Sequence, residues 1–503
     1  MSLETPDPEA LLEGYRRAEA RRRPWEALWR DCATHALPGG TAVAARTYDA
    51  TAADAAEQLA ASLLAELTPP FERWVGFEPG GEAGPGAVDA LEEAAAAVQG
   101  HLDRSAFAVE MHQALLDLVV FGTGCLLFEE SALGRASAFR FTAVPLAETV
   151  LEEGTEGRLD RVWRRRELGP AALRARFPRA PILNGEGPFG VVERVAPEAG
   201  GGADAASLKN HRVPRGGADA ASSMNSRVMR GGYRYLAVLE GGGGRAAQML
   251  ADGRFAVSPF VCFRWLKAPG EVYGRSPVMK ALPDIKTADK VVELILKNAS
   301  IAATGIWQAD DDGVLDPTAV ELVPGAVMPK AVGSAGLTPL AAPGRFDVSQ
   351  LVLEDLRKRI RHALLADRLA EPASPAMTAT EVLERAAETA RLLGATYGRL
   401  EAELLTPLIE RALAILARRG EVPAFALDGR EAGLRLRSPL AQAAGRREAG
   451  AALTWLGAVA GLGPEALAAV DTARAARWLG ARLGVPPALL EPPDLLPETP
   501  LLE

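Results

Sequence analysis

An α+β fold, predominantly helical, is what this 503-residue sequence predicts, and three observations carry the expectation. Apolar residues recur at three- and four-residue spacing through the first 120 residues and again from about residue 277, the period of amphipathic helices. Between residues 138 and 262 the pattern turns to short alternating runs broken by glycine, the period of strands and turns. Hydrophobic residues make up 48% and charged residues 24%, globular proportions that exclude wholesale disorder. At about 150 residues per domain the length allows about three domains. Aromatics are only 6%, so the core must draw on Leu, Val and Ala.

The first 70 residues read as helix. Leu11, Tyr15 and Ala18 share a face, and Arg16, Arg17 and Arg21 to Arg23 form a basic run, either a solvated face or a strip for an acidic partner. Leu59, Leu63, Leu64 and Leu67 keep helical spacing until Thr68-Pro69-Pro70 stops them. After a Gly/Pro/Glu loop at 79–86, one helix is predicted near 88–102. Another carries Phe107, Met111, Leu115 and Leu118 on its apolar face and ends at Gly122-Thr123-Gly124. Cys125 to Phe128 reads as a buried strand. Eight arginines then crowd 158–179 against Asp160 and Glu167, within a region of short strands.

Residues 201–207, Gly-Gly-Ala-Asp-Ala-Ala-Ser, recur as 216–222, and the phase continues through Asn210/Asn225, Arg212/Arg227, Val213/Val228 and Arg215/Arg230. Two apolar-poor copies cannot stack into a solenoid, which needs at least three. A tandem duplication in a flexible loop is the reading, flanked by segments 190–195 and 233–239 that alternate like paired strands.

From Tyr273 the chain turns helical. Ser276 is a predicted N-cap with Pro277 in the first turn, and Pro283 is expected to interrupt. A helix of roughly 28 Å follows over 284–302, with Ile285, Ala288, Val292, Ile295 and Ala299 on one stripe and Lys286, Lys290, Glu293 and Lys297 on another. Short strands are expected in 314–340, and Leu353, Leu356, Ile360 and Leu364 mark another helix. A proline-punctuated loop spans 367–375. Thr378-Ala-Thr-Glu381 matches a capping box opening a helix to about 419, kinked at Pro407 and ended by Gly420 and Pro423. Helices near 440–460 and 464–483 follow, then a proline-rich tail from 486, read as extended or disordered.

Net charge is −9 with pI near 5.4, which excludes a protein that coats nucleic acid with its whole surface but leaves room for a local basic face. Cys32, Cys125 and Cys262 lie far apart without CxxC spacing, so a reducing compartment is expected rather than a disulfide scaffold or structural zinc. The N-terminus lacks the apolar core of a secretory signal, and the most apolar stretch, 114–128, is too short and too broken to span a bilayer. A soluble protein with no membrane partner is expected.

No catalytic constellation emerges. Gly241 to Gly244 is followed by Arg245-Ala-Ala, without the lysine and hydroxyl of a phosphate cradle. The five histidines have no metal-ligand spacing, and Asp310 to Asp312 lead into Val314 and Leu315, where a calcium loop needs an oxygen ligand and a glycine. No GxSxG elbow is present. Neither a catalytic residue, nor a metal site, nor a cofactor is expected, which favours a structural or interaction protein over an enzyme.

Several segments together are recognisable. Gly270-Glu-Val-Tyr-Gly-Arg-Ser-Pro277 precedes the lysine-bearing helix, and within it stand Glu271, Tyr273, Gly274, Arg275 and Ser276. Met377-Thr-Ala-Thr-Glu-Val382 leads to Tyr397-Gly-Arg-Leu-Glu401 and Leu404-Leu-Thr-Pro407. His112 to Gly124 forms an apolar helix with a glycine stop, and 24–38 and 63–74 add fainter matches. In this order, over roughly residues 10 to 425, they resemble the portal, or head-to-tail connector, proteins of short-tailed double-stranded DNA phages. The duplicated 201–230 segment has no counterpart in that pattern.

The resemblance implies the portal fold of wing, two-helix stem, clip and crown, assembled as a dodecameric ring around DNA. By analogy the wing takes 1–165 and 303–430, with a tunnel loop near 367–376. The stem takes 166–191 and 263–302, the clip 192–262, the crown 431–485 and a tail 486–503. The implied function is a non-enzymatic channel at one capsid vertex, through which a separate terminase packages the genome and which later retains and releases it. Implied partners are eleven further copies, the double-stranded genome, a tail adaptor at the clip, the large terminase, and the major capsid and scaffolding or core proteins. The setting is the virion, and the host cytoplasm during assembly. Lys286, Lys290 and Lys297, with Arg368 in the tunnel loop, are the candidate DNA-facing cations. The competing reading makes the lysines solvated charges with i,i+4 support from Glu293, and Arg368 a helix cap. A soluble intracellular enzyme of unknown chemistry is the alternative for the whole chain. A dodecamer would carry about −108, so an acidic body with a few repeated cations could surround DNA without gripping it.

Overall fold

The computed structural model describes residues 7–37, 47–70, 72–80, 86–178, 187–198, 232–241, 246–304, 307–308, 332, 338–339, 346–369, 394, 396–483 and 485. Helix α1 runs over Pro8–Ala36, opened by Asp7, whose carboxylate accepts from the Glu9 N–H, and carries Pro24 without breaking. Its basic run is divided. Arg21 pairs with Glu152, while Arg22 is buried and donates to the carbonyls of Leu146, Ala147 and Thr149. A solvated face therefore describes Arg16, Arg17 and Arg23 but not Arg22.

Helices α2 (Thr51–Leu67), α3 (Ala87–Asp103) and α4 (Phe107–Phe121) follow, with a short strand β1 (Phe77–Pro79) between the first two. Phe107, Met111, Leu115 and Leu118 are buried as their spacing predicts, and α4 stops where Gly122 adopts a left-handed φ of 80°. Strands β2 (Thr123–Glu130) and β3 (Phe139–Ala143) come next, then β4 (Thr149–Glu152) and β5 (Arg161–Leu168). After the seven-residue α5 (Pro170–Arg176) come β6 (Phe189–Pro197), β7 (Tyr233–Leu239), β8 (Gln248–Phe255) and β9 (Phe260–Arg264). They form two antiparallel sheets, ordered β3-β2-β9 and β4-β5-β6-β7-β8.

The flanks of the duplicated segment pair as their alternation predicts, from Val191 opposite Leu239 to Pro197 opposite Tyr233; 201–230 itself lies outside the described residues. The expected first stem helix over 166–191 is not what the fold places there. Its described residues hold the end of β5, the short α5 and the start of β6, where Arg166 and Arg176 both meet Glu193 of β6 and Arg176 also meets Glu129 of β2. Arg164 meets Glu148 at 2.8 Å and Arg165 meets Glu240 at 2.9 Å; Arg176 meets Glu129 at 2.6 Å. Four of the eight arginines, 164, 165, 166 and 176, are thus paired with carboxylates within the chain.

Helix α6 spans Pro277–Thr304 without interruption. Pro283 removes one backbone hydrogen bond, but Val278, Ala281, Leu282, Ile285 and Ala288 are buried on either side of it and hold the helix through the proline. The two-residue strands β10 (Trp307–Gln308) and β11 (Thr338–Pro339) pair before α7 (Phe346–Ala363) and the single turn α8 (Ala366–Leu369). Most of 314–340 and the capping box at 378–381 lie outside the described residues. A π-helical turn over Glu401–Leu405 precedes α9 (Thr406–Arg419), where a kink was expected at Pro407. Gly420, at φ 74°, caps it. Strand β12 (Ala432–Leu434) pairs with β1, and α10 (Pro439–Gly461), α11 (Pro464–Leu467) and α12 (Thr472–Leu483) end the described fold.

The largest core joins α2, α3, α4, α6, α7 and α9 through residues such as Leu59, Met111, Ile285, Ile360 and Leu408. One acid sits against this mass. Asp117 of α4 is 8% exposed beside a cavity of about 380 Å³ shared with Trp29 and Phe121, and burial raises its pKa to about 7. Because the folded protein holds this proton more tightly than the unfolded chain, stability is full below about pH 4. It falls as pH rises towards 7 and is flat above, a loss on the order of 4 kcal/mol. Asp117→Asn should remove that term. Melts from pH 4.5 to 8 should show the variant gaining on the parent up to about pH 7; a constant difference would contradict the assignment.

Candidate DNA-channel helix and its anchoring motif

Helix α6 presents three kinds of surface. At about 100° per residue, Ile285, Ala288, Val292 and Ile295 fall on one arc, and Lys286, Lys290, Glu293 and Lys297 on an arc roughly opposite. Ile285 and Ala288 are buried, whereas the three lysines keep about half of their side chains exposed. The lysines are not bare charges. Lys286 reaches Asp31 of α1 at 2.5 Å, and Lys290 and Lys297 both hold Glu293, at 2.7 and 2.5 Å. Hydrogen bonds from those two ammonium groups draw the Glu293 pKa down to about 2. Helical spacing predicted the Glu293 contacts; nothing local foretold Asp31. On the flanks between the two arcs, Leu294 and Leu296 are about half exposed.

Helix α7 lies antiparallel to α6. Arg359, near its end, meets Asp284, near the start of α6, at 2.8 Å, and Leu353, Leu356 and Ile360 enter the same core as Ile285. The segment before α2 locks the pair: Arg357 binds Asp49 at 2.8 Å, and Asp289 accepts the Asp49 N–H at 3.1 Å. Bonds from Thr51 and Arg357 hold the Asp49 carboxyl below its usual range although burial opposes them. A basic run absent from the sequence-based candidates stands here, Arg357, Lys358, Arg359, Arg361 and His362. Of these, Lys358 and Arg361 are exposed and have no carboxylate partner among the described residues. The run was visible in the sequence as five basic positions in six. Arg368 falls in α8, so the first residues of the expected tunnel loop are helical; 370–376 and the Arg368 side chain lie outside the described residues.

The Glu271–Ser276 motif is a backbone crossing. Tyr273 is buried with its ring edge-on to Trp29 at 4.9 Å, and its hydroxyl accepts the Leu151 N–H at 3.1 Å. The Gly274 N–H donates to Thr123 Oγ1 at 2.9 Å, and Gly274 and Gly122 pass so closely that a Cβ on either would fall about 2 Å from the other's carbonyl oxygen. Ser276 Oγ donates to the Val120 carbonyl and accepts the Met279 N–H at 2.8 Å, the predicted N-cap. Arg275 and Glu271 form a fork at the surface, at 2.6 and 2.9 Å. The motif therefore pins the start of α6 to the end of α4, which fixes where the lysine stripe points.

A second anchor escaped sequence reasoning. Arg264, at the end of β9, is fully buried and binds Glu403 of the π turn through Nη2 at 2.7 Å and Nε at 3.2 Å. It also reaches Glu153 at 2.5 Å and the carbonyls of Val272 and Gly157. Burial disfavours the charged guanidinium, but the two carboxylates outweigh it and its pKa is raised. Among the described residues no three His, Cys, Asp or Glu side chains converge as a metal site, and no helix is long and apolar enough to cross a membrane.

Known proteins give these features a setting. The Bordetella phage BPP-1 protein described as a probable portal protein is 29% identical over 249 residues, 46% of this chain and 43% of its own. The portal protein of Salmonella phage epsilon15 is 29% identical over 276 residues, 51% and 48% of the two chains. The match thus spans less than half the length of either relative. A chain from the neck of a native GTA particle, computed with C12 symmetry, aligns over 90% of this chain and 98% of its own at 14% identity. Its TM-score of 0.33 is too low to bear on the fold. The family described as bacteriophage head to tail connecting protein matches residues 9–490, and the chain, spanned almost end to end by that match, belongs to this family of structural connectors.

Proposed function

We propose that the chain is the subunit of a phage portal, a dodecameric ring around the genome at one capsid vertex, with no catalytic role of its own. The observation that carries this reading is the three-way division of α6: a face buried in its own subunit, a cationic face opposite, and apolar flanks between. Leu294 and Leu296 on α6, and Leu351 and Val352 on α7, are large apolar residues left about half exposed or more. A barrel of like helices would cover such flanks and turn the lysine stripe to the lumen.

The antiparallel α6–α7 pair suits a two-helix stem better than 166–191, whose described helix has only seven residues. On this reading the connection 305–345 takes the clip's place in chain order, and the sheet containing 192–262 stays with the wing. Residues 431–485 form the crown, and Arg368 begins the tunnel loop. Three lysines against Asp31 and Glu293 leave a weakly positive stripe, and Lys358 and Arg361 add cations without a carboxylate partner among the described residues. Repeated around a ring, a few cations would attract duplex DNA while leaving it free to slide. The terminase, the tail adaptor and the capsid and scaffolding or core proteins would meet the ring during packaging, retention and ejection, in the host cytoplasm and then in the virion.

Light scattering after size-exclusion chromatography, with negative-stain imaging, should show rings near twelve times 53 kDa. Lys286→Gln, Lys290→Gln and Lys297→Gln combined should keep the rings, leave Asp31 and Glu293 uncompensated, and weaken DNA packaging or retention. A stable monomer at micromolar concentration would sink the portal reading. Unchanged packaging, retention and ejection in the triple variant would sink the lumen assignment.

A further inference from the structure

Helices α10 and α12 enclose an apolar groove of about 740 Å³ that the described chain leaves open. Trp455, Val459 and Leu462 line one wall and Trp478 and Leu479 the other, with Arg474 and Asp471 at the polar rim. Trp455 is 55% and Leu462 78% exposed, and Arg482 lies over the Trp478 ring at 5.6 Å. Two half-exposed tryptophans facing one apolar trough need an occupant.

The sequence directly after α12 has matching chemistry. Residues 486–503 read Pro-Pro-Ala-Leu-Leu-Glu-Pro-Pro-Asp-Leu-Leu-Pro-Glu-Thr-Pro-Leu-Leu-Glu, with leucine pairs at 489/490, 495/496 and 501/502, six residues apart. A polyproline II helix has three residues per turn, so six residues make two turns and return to the same edge. Leu489, Leu495 and Leu501 then share one edge and Leu490, Leu496 and Leu502 the next. Glu491, Asp494 and Glu503 take the third, and Glu498 falls on the Leu489 edge between Leu495 and Leu501. At 3.6 residues per turn the pairs would scatter around the helix instead.

We infer that residues 486–503 fold back as a polyproline II segment into the α10–α12 groove of their own chain, seating leucine pairs against Trp455 and Trp478. Aromatic-lined troughs suit this conformation because it is extended before binding and little ordering entropy is lost. Reach is sufficient. Five residues, 484–488, extend about 16 Å, while Trp478 stands only about 8 Å back along α12 from Leu483. Successive pairs lie about 19 Å apart, close to the roughly 15 Å from Ala452 in α10 to Leu462 just past its end. Charge agrees as well: the segment holds four carboxylates and no cation, and Arg474 stands at the groove on the α12 side, whereas Arg482 is held by Glu448 at 3.1 Å. The short tether gives the chain's own segment a high effective concentration over a neighbour's.

Hydroxyl-radical footprinting of the full chain tests this. Leu489→Ser, Leu495→Ser and Leu501→Ser combined should raise oxidation of Trp455 and Trp478 roughly fivefold, from a covered to an open ring. Buried Trp74 should not change. Equal high oxidation in both proteins would mean an empty groove, and equal low oxidation would mean that another molecule covers it; either overturns the inference. A full chain carrying Ala452→Cys and Leu495→Cys, joined by a short bismaleimide, should cross-link within single chains. Cross-linked dimers instead would show the segment seated on a neighbour and overturn the own-chain assignment.

Discussion

Arg264→Ala is expected to destabilise the fold by about 3–5 kcal/mol, the cost of leaving buried charge uncompensated. The guanidinium is fully buried and holds Glu403, Glu153 and the carbonyls of Gly157 and Val272 together. Its removal leaves Glu403, only 10% exposed, with Arg399 at 3.1 Å as its remaining cation and the backbone N–H of residue 264 at 3.0 Å, while Glu153 keeps Lys267. Arg264→Lys should lose less, because the charge stays but the fork that meets both Glu403 oxygens does not. Glu403→Gln tests the partner, and a double-mutant cycle should return a large coupling energy. Urea unfolding followed by tryptophan fluorescence reads each loss. A decrease under about 1 kcal/mol for Arg264→Ala would show that water or rearranged neighbours replace the network.

Gly274→Ala should be comparably severe, by a steric rather than an electrostatic route. Its Cβ would stand 2.0 Å from the Gly122 carbonyl oxygen, and in Gly122→Ala the distance to the Gly274 oxygen would be 2.2 Å. Neither obstacle is a flexible side chain. The backbones would have to part, breaking the Gly274 N–H bond to Thr123 and the Trp265 N–H bond to Gly122. A loss of about 3 kcal/mol or more is expected for each, and Gly122→Ala adds the strain of a side chain at φ 80°. Glu271→Gln in the same motif should cost under about 1 kcal/mol, since its fork with Arg275 is at the surface. Soluble yield and melting temperature separate the cases. A Gly274→Ala protein that melts like its parent would refute the crossing as a constraint.

These two sites show how far local pattern reaches. The buried face of α4, the Ser276 cap and the stripe of α6 were legible because a helix writes its environment every three or four residues. The pairing of β6 with β7 was legible for the same reason at period two, with the duplicated segment between them. The motif around Tyr273 was legible as a resemblance, though its task was not: Glu271 and Ser276 carry no sign that the glycine between them meets Gly122, 152 residues earlier. Pro283 misled because proline's local cost is small beside the burial of the turns on both sides. The arginines of 158–179 misled because partners such as Glu193 of β6, Glu148 before β4 and Glu240 after β7 come from other segments of the sheet region.

Cysteines divide along the same line. Cys125 and Cys262 are far apart in sequence, yet they sit opposite one another on β2 and β9 with sulfurs 3.2 Å apart, both as free thiols. By itself the sequence determined which faces of the helices are apolar, where most of them stop, that the chain is acidic overall, and which family it resembles. Those are properties of composition, short-range period and local motif. Only the tertiary structure decided which charges remain free. Lys286 meets Asp31, Arg264 meets Glu403, and residues 166–168 and 189–191 pair in one sheet, because each outcome depends on segments that folding brings together from other parts of the chain.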